Sequence, residues 1–322
     1  MKNATLARFL LLATLWGSSF TFIKVSLEGL TPGQLVLTRL VLGAVVLVSV
    51  AGLRRVPLPR SAAVWGHIGA AALFGNVLPF LALSYGEQSA GAGFAGVIIG
   101  CTPLLTLTLA AMVLPAERAT MRKAVGLLGG FAGVVIVIGP WHDTLGSVSR
   151  QLACLGAAAS YAVGFVYVRK YLSPRKLPSL ALAASQLIAA AVLQGIATSF
   201  LPWQAPQLNA RATWSIVLLG LLGTGLAYVI YFRLINDVGA TTASAVNYVV
   251  PVTAVLIGAI LLGESVTWNL VAGGLIVLAG MGYAEGRLKL PRKPAATVPV
   301  DAVPVDPVSV VDDRPVPAGE SR

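Results

Sequence analysis

The chain has 322 residues, 57% of them hydrophobic and only 11% charged, with a formal net charge of +11. Soluble domains carry roughly a quarter charged residues, so this composition, with a mean hydropathy of +0.83, excludes an ordinary soluble fold. Nucleic acid is excluded as the reason for the basic excess, because the charges collect in the gaps between apolar runs instead of forming a patch.

Ten apolar runs fill the chain, and each is read as a membrane helix. They cover 6–26, 33–53, 64–84, 90–112, 121–139, 150–168, 180–201, 213–232, 240–262 and 268–287. A bilayer core of roughly 30 Å needs about 20 apolar residues per helix, since each residue rises ~1.5 Å and every backbone polar group must be satisfied within the segment. Lys2 lies before the first run and Arg8 at its start, as in a signal peptide, but no A-x-A-like cleavage site precedes a soluble mature domain, so that run is expected to be a retained span. Cys101 and Cys154 both fall inside apolar runs and read as small buried hydrophobes.

Loop parity sets the orientation. With the N-terminus cytoplasmic, seventeen basic residues fall on the cytoplasmic side, among them Arg54, Arg55, Arg60, Arg118, Arg122, Lys123 and the run from Arg169 to Lys176. The opposite side receives Lys24, Arg39, Arg150 and Arg211. The positive-inside rule then places both termini in the cytoplasm. Beyond residue 290 the chain turns to Pro, Val, Asp and Ala, as in Val298-Pro299-Val300-Asp301, and is expected to be a disordered cytoplasmic tail.

The chain also repeats itself. A shift of 148 residues lays Gly75 on Gly223, Asn76 on Thr224, Gly91 on Gly239, Ala95 on Ala243 and Pro103 on Pro251. After a one-residue slip, Glu117 falls on Glu264, Thr120 on Thr267, Gly126 on Gly273 and Gly133 on Gly280. Five helices per copy is an odd number, so the second copy enters the membrane from the other side. The expected domains are a first five-helix repeat at 1–140, a second at 141–289 and the tail at 290–322. Transporters built from inverted repeats hold cargo near the midplane, between the repeats.

Short motifs fall in the same order in both copies. Leu15-Trp16-Gly17-Ser18-Ser19-Phe20, Thr102-Pro103, Val250-Pro251 and Leu262-Gly263-Glu264 resemble the EamA family of the drug/metabolite transporter superfamily, over roughly residues 6–286. At the end of the fourth helix this chain departs from the pattern, reading Pro115-Ala116-Glu117. The resemblance implies ten helices, a central cavity and movement of small metabolites including amino acids, as in the YddG-type exporters of the family.

Polar groups at membrane depth are the cavity candidates, because unpaired hydrogen-bonding atoms are costly there. They are Trp16, Ser18, Ser19, Asn76, Thr102, Tyr161, Tyr228, Asn247 and Tyr248. The competing account for the hydroxyls is bonding to their own helix. Pro103 and Pro251 lack an N–H, so each is a candidate hinge or a fixed kink. Lys24 and Arg39 are expected to snorkel to the outer interface, with capture of a cargo carboxylate by Lys24 as the alternative. Trp65, Trp141, Trp214 and Trp268 suit an aromatic belt. Glycines at 96 and 100, at 126, 129, 130 and 133, and at 273, 274 and 280 read as close intrachain packing faces, and no oligomeric state follows from them.

The carboxylates Glu28, Glu87, Glu117, Asp143, Asp237 and Glu264 all sit at span ends or in loops, and Glu285 near the last boundary. With none expected inside the membrane, passive movement or exchange stands level with proton coupling. The run Gly91-Ala92-Gly93-Phe94-Ala95-Gly96 has dinucleotide-motif spacing but follows a membrane-length helix, so no cofactor is expected. Neither a metal pattern nor a nucleophile constellation around His67 or His142 suggests an enzyme. The sequence reads as an inner-membrane transporter of a small, overall neutral metabolite, an amino acid first, working by alternating access in the lipid bilayer. The alternative is a multidrug exporter of the same superfamily.

Overall fold

A computed structural model describes residues 3–114, 120–139, 145–239 and 243–288. Among these residues the chain is all-α. Ten helices follow in order: α1 (Asn3–Ser26), α2 (Pro32–Leu53), α3 (Ala62–Gly86), α4 (Ala92–Val113), α5 (Met121–Ile138), α6 (Val148–Arg175), α7 (Ser179–Thr198), α8 (Ala210–Val238), α9 (Val246–Leu262) and α10 (Trp268–Ala284). The first eight are long and apolar enough to cross a membrane, whereas α9 and α10 have 17 residues each. The sequence predicts longer runs for these two, at 240–262 and 268–287. α9 instead begins at Val246, after turn residues Ser244 and Ala245, and α10 ends where Glu285 takes the C-cap position. The expected tail, and with it Glu117, Trp141, His142 and Asp143, lies outside the described residues.

Helix starts follow from short polar residues. Thr31 caps α2 through a reciprocal box with Gln34 ahead of Pro32, and Asn209 caps α8 by accepting from the Ala212 N–H at 2.8 Å. The repeat partners Thr120 and Thr267 both serve as N-caps, of α5 and α10.

Two glycine faces set the closest approaches. α5 and α10 cross so tightly that a methyl on Gly133 would sit 2.7 Å from the Gly273 carbonyl, and one on Gly280 would meet the Gly126 carbonyl at 2.7 Å. In the same way Gly93 and Gly100 of α4 face Val255 and Pro251 of α9, at 3.1 and 2.9 Å. With no lipid-expelling force between apolar helices, such faces hold by van der Waals contact of backbones. The outward surface carries exposed Leu128, Phe131, Ile196, Leu256, Ile260 and Leu275, as a lipid-facing wall requires.

Three helices contain a widened turn closed by an N–H to the fifth carbonyl back. In α3 it spans Leu73–Val77, in α8 Leu219–Leu226 and in α6 Val168–Leu172. The first two fall at matching positions of the repeat, around Asn76 and Thr224. Widened turns reposition a side chain and free local backbone, and they cluster at functional sites.

Candidate functional site

The two ends of the bundle are tied differently. At the end where α1 begins and α10 finishes, Arg8 meets Asp237 at 2.6 Å, and the Tyr248 hydroxyl donates to Glu285 at 3.0 Å. At the opposite end, Gln34 donates to the Gln204 carbonyl at 2.6 Å, and Lys24 donates to the Ala90 carbonyl at 2.5 Å. There Glu264 accepts from the Ala92 and Gly93 N–H groups at 2.7 and 3.0 Å. Its carboxylate therefore covers the start of α4, where the helix dipole favours negative charge.

Between these ends lies a cavity of about 560 Å³. Buried Phe20, Ile23 and Leu83 close one end of it, and its lining reaches exposed Arg169 at the end that carries both α1's start and α10's finish. A separate vestibule of about 620 Å³ occupies the opposite end, lined by Lys24, Ser89, Phe94, Arg211 and Glu264 among others.

Of the residues singled out from sequence, Trp16, Ser19, Thr102, Tyr161, Tyr228 and Asn247 line the central cavity, as do Pro103 and Pro251. Trp16 packs on Tyr231 with ring centres 5.2 Å apart, and Tyr161 stands between Phe80 at 6.2 Å and Phe165 at 6.1 Å. The Thr102 hydroxyl is buried without a hydrogen-bond partner. Three candidates are placed elsewhere. Ser18 donates to the Leu15 carbonyl of its own helix, Asn76 is buried behind the cavity wall beside the Tyr228 hydroxyl, and Tyr248 is held by Glu285. Asn76 sits on the widened turn of α3 and is not among the residues that line the cavity.

The prolines differ in setting. α4 breaks at Gly100 and Cys101 and restarts at Thr102 with Pro103 in its first turn, while Pro251 sits within a continuous α9. Neither can donate to the carbonyl four residues back, which leaves the Ile99 and Asn247 carbonyls without that partner beside the cavity.

Arg39 overturns the snorkelling expectation. Two turns inside α2 it points inward, is only 7% exposed and lines the cavity. Its Nε donates to Thr224 Oγ1 at 2.8 Å, and its guanidinium carbon lies 3.8 Å from the centre of the Phe80 ring. Thr224 is free to accept because the widened turn of α8 directs its own hydroxyl proton to the Leu219 carbonyl. The terminal nitrogens of Arg39 have no protein acceptor among the described residues, so a buried cation presents its fork to the cavity. A cation therefore faces the space for which the sequence leads to an overall neutral cargo.

Sequence reasoning missed Arg39, yet a signal existed. Under the 148-residue shift Arg39 falls on Leu187, Lys24 on Leu172 and Glu87 on Ile235. Each is a charge for which the other copy has a buried or half-buried apolar residue. Among the described residues no group of three or more His, Cys, Asp or Glu side chains is arranged to hold a metal ion.

Comparison with known proteins agrees with this architecture. The pattern of the EamA-like transporter family matches residues 4–139 and again 149–283. An uncharacterized transporter of Archaeoglobus fulgidus is 30% identical over 84% of this chain and 95% of its own length. The uncharacterized inner membrane transporter YedA of Escherichia coli is 28% identical over 87% of this chain and 90% of its own. A probable amino-acid metabolite efflux pump of Salmonella typhimurium is 26% identical, with coverage of 84% and 91%. One solved crystal structure aligns with a TM-score of 0.62 at 20% identity over 88% of this chain and 98% of that one, a likeness of fold.

Proposed function

Because the chain belongs to the EamA-like transporter family, we propose that it carries small carboxylate-bearing metabolites, amino acids first, across the inner membrane by alternating access through the central cavity. One observation carries the cargo assignment: buried Arg39 lines the cavity with only its Nε taken up, by Thr224. A largely buried guanidinium favours an anion, and a planar carboxylate fits its paired N–H groups. A zwitterionic amino acid supplies that carboxylate, and the rings of Trp16, Phe80 and Tyr161 supply apolar contact for its side chain. The efflux pump of Salmonella typhimurium is consistent with this class of cargo.

Alternation follows from the two-repeat fold, with the glycine-broken, proline-started α4 as the hinge and the two tied ends as the gates. The positive-inside bias supports a cytoplasmic start of α1 and finish of α10, and with it a cavity that opens to the cytoplasm.

The test is counterflow in proteoliposomes with an amino-acid panel, run beside amines that lack the carboxylate, such as phenethylamine against L-phenylalanine. Only the carboxylated members should exchange. Arg39→Gln should raise the half-saturation concentration at least about 30-fold, since losing one partner of a buried charge pair costs ~2–5 kcal/mol. Equal exchange of the decarboxylated amines would instead favour a multidrug exporter, the reading that the aromatic lining supports. Epitope tags at residues 1 and 322, accessible only from the cytoplasm, test the orientation.

A further inference from the structure

We propose that Glu87 is a proton-binding site, and that its proton is the ion coupled to transport. The sequence places this residue at a span end, where carboxylates normally meet water. In the structure Glu87 is 0% exposed, and both of its carboxyl oxygens are buried without a hydrogen-bond partner.

The groups around it have other commitments. On α1, Lys24 gives its ammonium to the Ala90 carbonyl. On α2, Arg39 is held by Thr224 and Phe80 and faces the cavity. Glu264, in the turn before α10, is taken up by the N–H groups that open α4. From α6 the wall is made by the Arg150 carbonyl and Cys154, which lie against Gly86. Glu87 also occupies the C-cap of α3, the helix end whose dipole repels negative charge. An ionised carboxylate has no counterpart here, and a protonated one does not need one. Burial accordingly pushes the Glu87 carboxyl well above the usual carboxylate range, with Lys24 and Arg39 pulling the other way and Glu264 adding to the rise.

Position supplies the coupling. Glu87 stands one turn beyond Leu83, which lines the central cavity, and its neighbour Lys24 lines the vestibule. It therefore occupies the wall between the two spaces, within electrostatic reach of the cations that face each. In the present state, with the wall dry, the site holds its proton. When the vestibule opens and water reaches the wall, the carboxyl O–H bond breaks, the proton leaves to that water, and Lys24, released from Ala90, balances the carboxylate. The wall closes over the Lys24–Glu87 pair, and the carboxylate takes its next proton from water of the central cavity, so each cycle moves one proton from the cavity side to the vestibule side without any further reactant.

This rests on the transporter reading for its consequence, but the site can be tested without cargo. In the full chain, with Cys101 and Cys154 replaced by alanine, spin labels at Ser89 and Ser265 report the width of the vestibule mouth. Raising the pH from 5.5 to 9 should shift the wild-type distance distribution toward longer separations, and Glu87→Gln, which mimics the protonated form, should keep the short distance throughout. A wild-type distribution that ignores pH, or a Glu87→Gln distribution that shifts equally, overturns the proposal. In proteoliposomes the ratio of L-phenylalanine uptake with and without a one-unit pH gradient should fall to 1 in Glu87→Gln; a ratio equal to wild type also overturns it. Absence of amino-acid counterflow alongside an intact pH-dependent label shift would defeat the cargo assignment and leave the proton site standing.

Discussion

At the residue scale, the site turns on charges whose surroundings decide their role. Arg39 is oriented by one hydroxyl and one ring, and Phe80 supplies the softer of the two contacts. Phe80→Leu keeps an apolar side chain but removes the ring face, a cation–π contribution of ~1 kcal/mol for a cation beside an open cavity. Half-saturation for carboxylated cargo should rise about 5-fold, measured by the same counterflow assay, with the thermal midpoint nearly unchanged. Arg39 was hidden from a reading of composition and spacing, because an arginine two turns into a helix has the same local sequence whether it points to lipid headgroups or to a cavity. What decides is Thr224, 185 residues away, and no local pattern carries that information. Glu87 leaves a thermodynamic trace as well. Its folded state binds a proton more tightly than the unfolded chain, whose carboxyl titrates at the ordinary 4.5. The stability it contributes is full below that value and is lost as pH rises through the folded-state value. The difference in thermal midpoint between wild type and Glu87→Gln should therefore grow with pH across that window and vanish at its acidic end.

At the scale of elements, helix existence was legible and helix interiors were not. Runs of apolar residues near twenty long leave little choice in a bilayer, and the caps at Thr31, Thr120 and Thr267 follow familiar side-chain rules. The widened turns of α3 and α8 have no strong sequence mark, because Gly-Asn and Gly-Thr occur in ordinary helices too; only their shared place in the repeat hints at them. The Glu264 carboxylate is the clearest inter-element tie at the vestibule. Two charge-assisted bonds to backbone N–H groups contribute ~1.5–3 kcal/mol each before solvent competes. Glu264→Ala should therefore shift the closed-to-open ratio of the mouth by roughly 10- to 100-fold, read from the Ser89–Ser265 label distances at fixed pH. Glycine positions give a paired prediction. Gly133→Val places a side chain where the Gly273 carbonyl stands and should cost ~1–3 kcal/mol, shortening the inactivation half-life in detergent at a fixed elevated temperature. Gly129→Ala meets nothing within 4 Å and should leave it equal or longer, since alanine favours the helix by ~0.5–1 kcal/mol.

At the scale of the whole molecule, the duplicated pattern was readable because proline, threonine and glutamate recur in register, and the family pattern matches the chain twice in that order. The candidate cavity was half legible. Hydroxyls, rings and an amide at membrane depth led to six of its lining residues, but depth alone does not tell which way a helix face points, so Ser18, Asn76 and Tyr248 fell outside it. The seam where α5 crosses α10 bears on how such a molecule works. Backbones that touch at Gly126, Gly133, Gly273 and Gly280 have no layer of side chains between them to slide or compress. In the proposed alternation that contact would serve as a bearing about which the other parts swing. Reporter pairs placed across it should keep one separation through the entire cycle while the mouths trade places.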